Sequence, residues 1–540
     1  MPSLLLFVAI FLSSIGVVAG GNPSQAPNIL LIVVDDVGFT DLGSFGGEIE
    51  TPNLDKLAYD GMRFTNFHTA PTCSPTRAML LTGADNHLVG LGNMHEELSP
   101  NQKGQPGYEG HLNTRAANLA EVLKQQGYNT YMTGKWHLGL EASQSPAARG
   151  FEKSYALLHG GGGHFDNLGM FGRSAKYREN DHLVDLPKDF YSTRFYTEKM
   201  LEYIGQRGEE EKPFFAYLAY TATHWPLQAP DQSIAKYEGR YHQGYDKLHQ
   251  QRIDGAIAKG VVPADSQTVP RLEGEPAWAD VSASQRQREE RKMEIYAAML
   301  DDVDIYVGKL ISHLKAIGEY DNTVIFFMSD NGAEGHNVEH GLAELVPWIE
   351  KCCDNRYENM GKADSYLLTG PNWARASTGP TKNFKGATTE GGIKAPAFIV
   401  YPQIKFENSL QSQFSTVQDV MPTILELAGV DAPDGKFMGR NVLPITGRSL
   451  LAHHDDASTP IEAGWELMGK RGYRHGDWKL VHLPAPYGSG NWQLYNLAED
   501  PREQRDLSLA HAQKLKEMIA GWERYAEANN VILPDWVSGY

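Results

Sequence analysis

The chain has 540 residues, of which 41% are hydrophobic and 21% are charged, so it can bury a large core and is globular rather than intrinsically disordered. Its formal net charge of -18 argues against a nucleic-acid-binding protein, in which clusters of Lys and Arg dominate a surface. An acidic chain that binds an anionic substrate must therefore concentrate positive charge locally.

Residues 1–20 predict a cleaved secretory signal. They carry a short apolar run followed by small residues, and this run is shorter than a membrane-spanning helix requires. The prediction implies a secreted or periplasmic protein, although the segment contains no Lys or Arg. No later segment of the sequence predicts a membrane span.

The chain has only three cysteines, namely Cys73, Cys352 and Cys353. This number is too small for a disulfide framework. The adjacent Cys352 and Cys353 either close a disulfide ring or remain two thiols, and the sequence leaves both alternatives open.

Apolar strands alternate with helical patterns along most of the chain. The runs at residues 28–34, 214–219 and 323–329 are rich in β-branched and aromatic residues, as in strands buried on both faces of a parallel sheet. Helical patterns occupy residues 117–126 and 292–317. This alternation predicts an α/β domain whose ligand site lies beyond the carboxyl ends of the strands.

Two later segments differ from this main pattern. The polar segment 231–291 predicts a surface insertion, with a substrate lid as the alternative. From about residue 440 the sequence changes to short strands and turns that end in a helix near residues 510–526. We therefore predict a main domain over residues 27–440 and a smaller α+β subdomain over residues 441–540.

Polar groups directly follow two of the predicted strands. Asp35 and Asp36 follow the first strand, and Asp330 and Asn331 follow the strand at residues 323–329. Adjacent carboxylates repel each other unless they meet a cation, and oxygen ligands suit Ca²⁺ or Mg²⁺ better than Zn²⁺. The alternative is that both pairs simply form turns. Their shared position favours a divalent-cation site.

The most specific segment is Cys-Ser-Pro-Thr-Arg at residues 73–77, followed by an apolar run that ends in Thr-Gly. One interpretation is a small buried cysteine at a helix N-terminus, because Pro75 suits a first helical turn. The segment also resembles the signature of type I sulfatases, a family in which this cysteine is oxidised to formylglycine. The rest of the sequence decides between these interpretations.

The resemblance to type I sulfatases extends from about residue 27 to the end of the chain. Gly-Lys-Trp-His-Leu-Gly stands at residues 134–139 and His-Trp-Pro-Leu-Gln-Ala-Pro at residues 224–230. Lys385 precedes Glu-Gly-Gly at residues 390–392, as a lysine does in the family. The residues of these motifs are most similar to those of bacterial alkyl- and arylsulfatases.

This resemblance implies an alkaline phosphatase-like fold: a large, mixed, mostly parallel sheet between helices, with a smaller α+β part that carries an antiparallel sheet. It implies that a formylglycine-generating enzyme oxidises Cys73. It also implies one divalent ion per chain, usually calcium, whose ligands would be Asp35, Asp36, Cys73, Asp330 and Asn331. The implied reaction is hydrolysis of an aryl or alkyl sulfate monoester, from a small molecule or a glycan, to a phenol or alcohol and sulfate.

The resemblance also assigns roles to five further side chains. The hydrated aldehyde attacks sulfur, and Arg77 and Lys135 stabilise its charge. His224, assisted by Lys385, donates a proton to the leaving oxygen, for which a histidine that titrates near neutrality is suited. His137 then removes a proton, so that sulfate leaves and the aldehyde forms again.

Two other motifs carry less chemistry. The glycine run at residues 160–163, between His159 and His164, predicts a flexible loop beside the substrate cleft, because it lacks the Lys-Ser/Thr of a P-loop. Met-His-Glu-Glu at residues 94–97 lacks the second histidine of a zinc-binding helix and predicts plain surface.

Two rival functions remain alongside the sulfatase hypothesis. One is a phosphonate monoester or phosphodiester hydrolase of the same superfamily. The other is a non-catalytic relative that binds sulfated glycans, which the complete set of charged residues disfavours.

Overall fold

The computed structural model describes residues 26–207, 212–337, 342–406, 409–451, 462–536 and 538. The predicted secretory signal, residues 1–20, lies outside the described residues.

The described residues form strands and α-helices that alternate over most of the chain. The strands are β1 (Asn28–Val34), β2 (Met62–Phe64), β3 (Phe67–His68), β4 (Asn129–Lys135), β5 (Lys153–Leu157), β6 (Tyr177–Glu179), β7 (His182–Val184), β8 (Phe214–Ala219), β9 (Thr323–Ser329), β10 (Ala397–Val400), β11 (Leu410–Gln411), β12 (Ser415–Thr416), β13 (Lys436–Phe437), β14 (Arg440–Asn441), β15 (Glu462–Leu467), β16 (Lys470–His475), β17 (Trp478–His482) and β18 (Trp492–Asn496). The helices are α1 (Pro52–Asp60), α2 (Cys73–Thr82), α3 (Leu119–Gln125), α4 (Ser192–Gly205), α5 (Asp231–Ala235), α6 (Gly244–Ala258), α7 (Ala283–Ala316), α8 (Val346–Cys352), α9 (Pro371–Ser377), α10 (Glu390–Ile393), α11 (Val420–Ala428) and α12 (Ala512–Ala528).

A ten-stranded sheet forms the centre of the molecule, in the order β11-β2-β10-β9-β1-β8-β4-β5-β6-β7. Its five middle strands, from β9 to β5, are parallel, whereas β10, β6 and β7 introduce antiparallel pairs. The predicted runs at residues 28–34, 214–219 and 323–329 are β1, β8 and β9. A mixed, mostly parallel sheet is therefore confirmed.

Helices cover both faces of this sheet because alternate residues of its strands are buried on opposite sides. Leu30 and Ile32 of β1 pack in a cluster with apolar residues of α1, α4 and α7. Ile29 and Leu31 pack in a second cluster with residues of α2, α3 and α11. A strand that is buried on both faces must be apolar at every position, which is the pattern of β1.

The predicted insertion, residues 231–291, contains α5, α6 and the start of α7. Its helix α6 is not simply solvated, because Leu248, Arg252 and other residues on one side of α6 are buried. The Arg252 guanidinium pairs with Asp41 and, at 2.7 Å between Nε and Oε2, with Glu48. The inner face of the segment is therefore part of the folded core.

The predicted carboxy-terminal antiparallel sheet is confirmed: β15 to β18 form a four-stranded antiparallel sheet, and α12 packs on it through Met518 and Trp522. The turn after β15 places Met468 in a cluster with Met94 and Trp225 of the main domain. The small pairing of β13 with β14 straddles residue 440, so the exact domain boundary stays a prediction.

Cys352 and Cys353 form a disulfide, which decides between the two alternatives that the sequence left open. Separately, none of the helices among the described residues combines the length with the apolar character that crossing a membrane requires.

A buried cluster of charges connects the carboxy-terminal sheet to the main domain. The Lys479 ammonium on β17 lies 2.6 Å from a carboxylate oxygen of Glu390 on α10 and 3.1 Å from Glu503. The other carboxylate oxygen of Glu390 lies 2.8 Å from Nε2 of His68. Lys479 and Glu503 are fully buried, so neither charge can exchange its partner for water.

We expect Lys479→Met to lower the unfolding midpoint markedly. The substitution leaves two buried carboxylates without their cation, and breaking a buried pair costs about 3 kcal/mol or more. The measurement is urea and thermal unfolding followed by tryptophan fluorescence. Lys56→Met is the matched control, because Lys56 pairs with Asp60 at the exposed surface of α1. Equal shifts for the two variants would contradict the structural role of Lys479.

Candidate active site

The strands β1 and β9 are parallel neighbours whose last residues pair with each other. Asp35 and Asp36 therefore emerge beside Asp330 and Asn331 at one edge of the sheet. A carboxylate oxygen from each aspartate lies within 4.8 Å of the other two, and all three aspartates are fully buried. The amide of Asn331 donates a hydrogen bond to Oδ1 of Asp36 at 2.6 Å.

Cys73 is the first residue of α2, and its thiol lies at this same edge. Its sulfur atom, an oxygen of Asp35 and a ring nitrogen of His224 lie within 4.8 Å of one another. All ten residues of α2 are buried, and Thr72 provides no side-chain cap for the helix. The N-terminus of α2 therefore adds free backbone N–H groups and a partial positive charge.

Three buried cations each pair with one carboxylate of the cluster. The pairs and their N–O distances are Arg77–Asp330 at 2.7 Å, Lys135–Asp35 at 2.6 Å and Lys385–Asp36 at 2.9 Å. Each cation comes from a different element or loop: Arg77 lies on the second turn of α2, Lys135 ends β4, and Lys385 lies in the loop before α10. The structure thus brings together the predicted charged residues.

The carboxylates of the cluster differ in pKa. Burial, together with repulsion from Asp330, raises the pKa of Asp35 to about 8. Burial also raises the pKa of Asp36, to about 6, against the opposing effect of Lys385. For Asp330, burial is the largest single effect, but Arg77, Lys135 and Lys385 together outweigh it and lower the pKa. A divalent cation would favour the ionised forms of the first two groups.

The residues present fit a hard divalent cation. Oδ1 of Asp35 and Oδ1 of Asn331 are buried and accept no hydrogen bond from any residue that the structure describes. Such unpaired oxygen atoms are costly unless a ligand satisfies them. Asp36 has a left-handed backbone conformation, with φ of 65°, and strain of this kind concentrates at functional sites. Oxygen ligands of this type suit Ca²⁺ or Mg²⁺.

The thiol of Cys73 is a poor nucleophile in this environment. Burial raises its pKa to about 12, although Lys135 and Lys385 act in the opposite direction. The thiolate is the reactive form of cysteine, so this shift disfavours an unmodified Cys73 as a nucleophile.

His224 is held by its Nδ1 atom. This atom lies 2.7 Å from the carbonyl oxygen of Trp225, whereas Nε2 lies 3.8 Å from Oδ2 of Asp36. Burial, together with Lys385, lowers the pKa of His224 well below its ordinary value. This direction differs from the expectation that the ring titrates near neutrality, and a further negative charge beside the ring would favour its protonation.

His137 is held by its Nε2 atom, which lies 2.9 Å from a carboxylate oxygen of Glu96. Its Nδ1 atom is buried and has no hydrogen-bond partner among the described residues. Like Asp36, His137 has a left-handed backbone, with φ of 55°. His95 and Glu96 are exposed, as the prediction of surface for residues 94–97 requires, but Glu96 also contacts a histidine of the site.

The family is established by comparison with known proteins. A family model described as Sulfatase matches residues 27–430. An uncharacterised sulfatase of Schizosaccharomyces pombe is 42% identical to this chain, over 95% of the chain and 96% of the relative. The chain belongs to the sulfatase family. An arylsulfatase of Klebsiella aerogenes is 38% identical to this sulfatase, over 81% of the chain and 94% of the relative.

Solved structures share the fold of this sulfatase. The crystal structure of Ps i-CgsB in complex with k-i-k-neocarrahexaose is 25% identical, with a TM-score of 0.64 and coverage of 95% of each chain. A phosphonate monoester hydrolase of Agrobacterium radiobacter is 19% identical, with a TM-score of 0.51 and coverage of 92% of this chain and 96% of the other. The fold is therefore common to both reaction classes and does not by itself separate them.

The glycine run of this sulfatase lies against both histidines of the site. A Cβ atom built on Gly160 would lie 2.6 Å from Cε1 of His137, and one built on Gly161 would lie 3.1 Å from Cε1 of His224. These contacts explain the glycines at positions 160 and 161, where the backbone approaches the rings too closely for a side chain. The prediction that the run borders the cleft agrees with this position.

Sequence reasoning missed two carboxylates beside the predicted residues. Glu334 lies 3.2 Å from the Lys385 ammonium and 2.6 Å from a ring nitrogen of His336. Its signal was available, because it follows Asp330 and Asn331 within one short segment. Glu96 had no local signal, since it lies far from His137 in sequence and follows no catalytic motif.

Proposed function

We propose that this sulfatase hydrolyses aryl or alkyl sulfate monoesters to a phenol or alcohol and sulfate, with formylglycine at position 73 and one bound calcium ion. The environment of Cys73 carries the proposal: the thiol is buried and protonated at the N-terminus of α2, among three cations and three carboxylates. An aldehyde at this position would add water and so supply a hydroxyl nucleophile, which the protonated thiol cannot do.

The balance of charge supports a divalent cation. The buried carboxylates Asp35, Asp36 and Asp330 are matched by three buried cations, and Glu334 adds a fourth carboxylate next to Lys385. Without a metal the cluster therefore has no excess of positive charge for a sulfate ester. A calcium ion held by Asp35, Asp36, Asp330, Asn331 and residue 73 would supply that excess next to the reacting group.

The remaining steps, which are charge stabilisation and proton transfer, would be carried out by side chains of the protein. Arg77 and Lys135 form ion pairs with carboxylates next to residue 73. Both would orient the attacking oxygen and stabilise its negative charge. Lys385 and His224 share Asp36 as a neighbour, so both would face the oxygen that leaves sulfur. An anionic ester bound beside His224 would raise its pKa, so that Nε2 takes up a proton and then donates it. His137 would accept the proton whose removal releases sulfate.

The relatives support this choice of substrate class, since one of them is named an arylsulfatase. The complete set of cations and histidines around residue 73 argues against a non-catalytic glycan-binding protein. Such a protein would not need groups that transfer protons. Maturation by a formylglycine-generating enzyme and export by the predicted signal at residues 1–20 belong to the same proposal. Since α2 is wholly buried, the modifying enzyme would act on this segment before folding is complete.

We expect mass spectrometry of active protein to find formylglycine at position 73, and Cys73→Ala to abolish turnover of 4-nitrophenyl sulfate while the melting temperature changes little. Alanine removes the nucleophile but only one buried sulfur atom. Ser74→Ala is the matched control, since its hydroxyl is buried next to Cys73 without a hydrogen-bond partner among the described residues. An intact thiol in fully active protein would overturn the proposal.

Removal of calcium should abolish activity and lower the melting temperature. Oδ1 of Asp35 and Oδ1 of Asn331 then again lack a partner among the described residues. Ligand binding to the folded state stabilises it by about 2.7 kcal/mol at a hundredfold excess over Kd. The measurement is activity and thermal unfolding after chelation and gel filtration, followed by addition of Ca²⁺, Mg²⁺ or Mn²⁺. Full turnover in protein that is shown to be metal-free would contradict the assignment of calcium.

His224→Ala should impair esters with poor leaving groups much more than activated ones. A nitrophenolate leaves without a proton, whereas an alkoxide needs one, and general acid catalysis contributes about 100-fold or more. The measurement is kcat/KM over a series of sulfate esters ordered by the pKa of the leaving group. His182→Ala, at an exposed histidine of β7, is the control. Equal losses across the series would contradict the role of His224.

A further inference from the structure

We propose that Glu96 is a positioning residue that fixes the orientation and tautomer of His137, so that Nδ1 is the nitrogen that accepts a proton from residue 73. This inference rests on the proposed function, because it assigns the basic role of His137 to one of its two ring nitrogens. It adds to that function a residue outside the family motifs quoted above.

The tautomer follows from the contact between the two side chains. Oε1 of Glu96 lies 2.9 Å from Nε2 of His137, which is hydrogen-bonding distance. An ionised carboxylate only accepts hydrogen bonds, so Nε2 must carry the hydrogen atom. In the neutral ring Nδ1 then has the free lone pair, which is the form that a base requires.

The Nδ1 atom is buried and unpaired. It has no hydrogen-bond donor among the described residues, and only 6% of the His137 side chain is exposed. A buried acceptor without a partner costs about 1–3 kcal/mol. This cost is recovered if a hydroxyl group at residue 73 donates to Nδ1 during turnover.

The backbone at Gly160 limits the space on one side of this contact, while 36% of the Glu96 side chain is exposed. A Cβ atom on Gly160 would lie 2.6 Å from Cε1 of His137, 2.9 Å from its Nε2 and 3.0 Å from Oε1 of Glu96. Gly160 therefore packs directly over the hydrogen bond. His137 also lies two residues after Lys135, whose ammonium group pairs with Asp35. This pair helps to fix the backbone that carries the His137 ring.

The two histidines of the site are held by opposite nitrogens. His224 uses Nδ1 to contact a backbone carbonyl group, which leaves Nε2 for the substrate. His137 uses Nε2 to contact a carboxylate, which leaves Nδ1. A carboxylate stabilises a protonated ring more than a carbonyl group does, so Glu96 opposes the lowering of the His137 pKa that burial causes.

The proton transfer balances without an additional reactant. After the ester has lost its alcohol, residue 73 carries one free hydroxyl group and one oxygen bonded to sulfur. Nδ1 takes the hydroxyl proton, the O–H electron pair becomes the second bond of the aldehyde, and the carbon–oxygen bond to the sulfate group breaks with its electrons on sulfate. Water then adds to the aldehyde and restores the hydrate.

The first test is Glu96→Ala, with Glu97→Ala as the matched control, because the Glu97 carboxylate contacts Ser538 and not His137. Loss of the positioning residue should slow only sulfate release. We expect kcat and KM for 4-nitrophenyl sulfate to fall together by about tenfold to a hundredfold, with kcat/KM little changed. The quenched variant should yield a residue-73 peptide that carries sulfate.

A second substitution tests the same geometry without removing the carboxylate. Gly160→Ala should displace His137 from Glu96 and reproduce the parallel fall of kcat and KM. Gly205→Ala is its control, since a Cβ atom there meets no atom within 4 Å. Unchanged kinetics in Glu96→Ala, or a loss confined to kcat/KM, would overturn the role of Glu96.

A readout independent of activity uses protein with unmodified Cys73. The ¹⁵N NMR signals of His137, assigned by difference from His137→Gln, should indicate hydrogen on Nε2 in the parent and a mixture of tautomers in Glu96→Ala. A hydrogen on Nδ1 in the parent would overturn the inference. Sulfate trapping in His137→Gln but not in Glu96→Ala would refute only the role of Glu96, whereas its absence from both would refute the proposed function as well.

Discussion

The site depends on the pairing of β1 with β9, which end at the same level of the sheet. Because the strands are parallel neighbours and stop together, their following residues place three carboxylates in one buried cluster. A protein tolerates such a cluster only if cations compensate for it. Arg77, Lys135 and Lys385 arrive from α2, β4 and the loop before α10, and each one contacts a different carboxylate.

The same compensation limits the attraction of these side chains for an anion. Each lysine or arginine is balanced by its carboxylate, so the free site has little net attraction for a sulfate ester. The proposed divalent ion would shift this balance, so that the fixed cations could act on the substrate. In the proposed reaction, metal binding would therefore favour substrate binding through charge.

Most of the central fold could be predicted from the sequence, because strands such as β1 and β9 are apolar throughout and end in recognisable polar groups. The charged residues of the site could be predicted because each lies in a motif. Glu96 could not, since its role arises from a contact with His137 across the fold and no local pattern marks it. The lowered pKa of His224 was also outside sequence reasoning, because it depends on burial and on Lys385.

The carboxy-terminal sheet is tightly connected to the main domain. Its strand β17 supplies the cation between Glu390 and Glu503, and the turn after β15 contributes Met468 to the apolar cluster that contains Met94 and Trp225. Trp225 directly follows His224, so that turn forms part of the wall behind the active site. A chimaera that takes this region from another sulfatase would therefore have to reproduce both contacts to keep the two parts of the chain together.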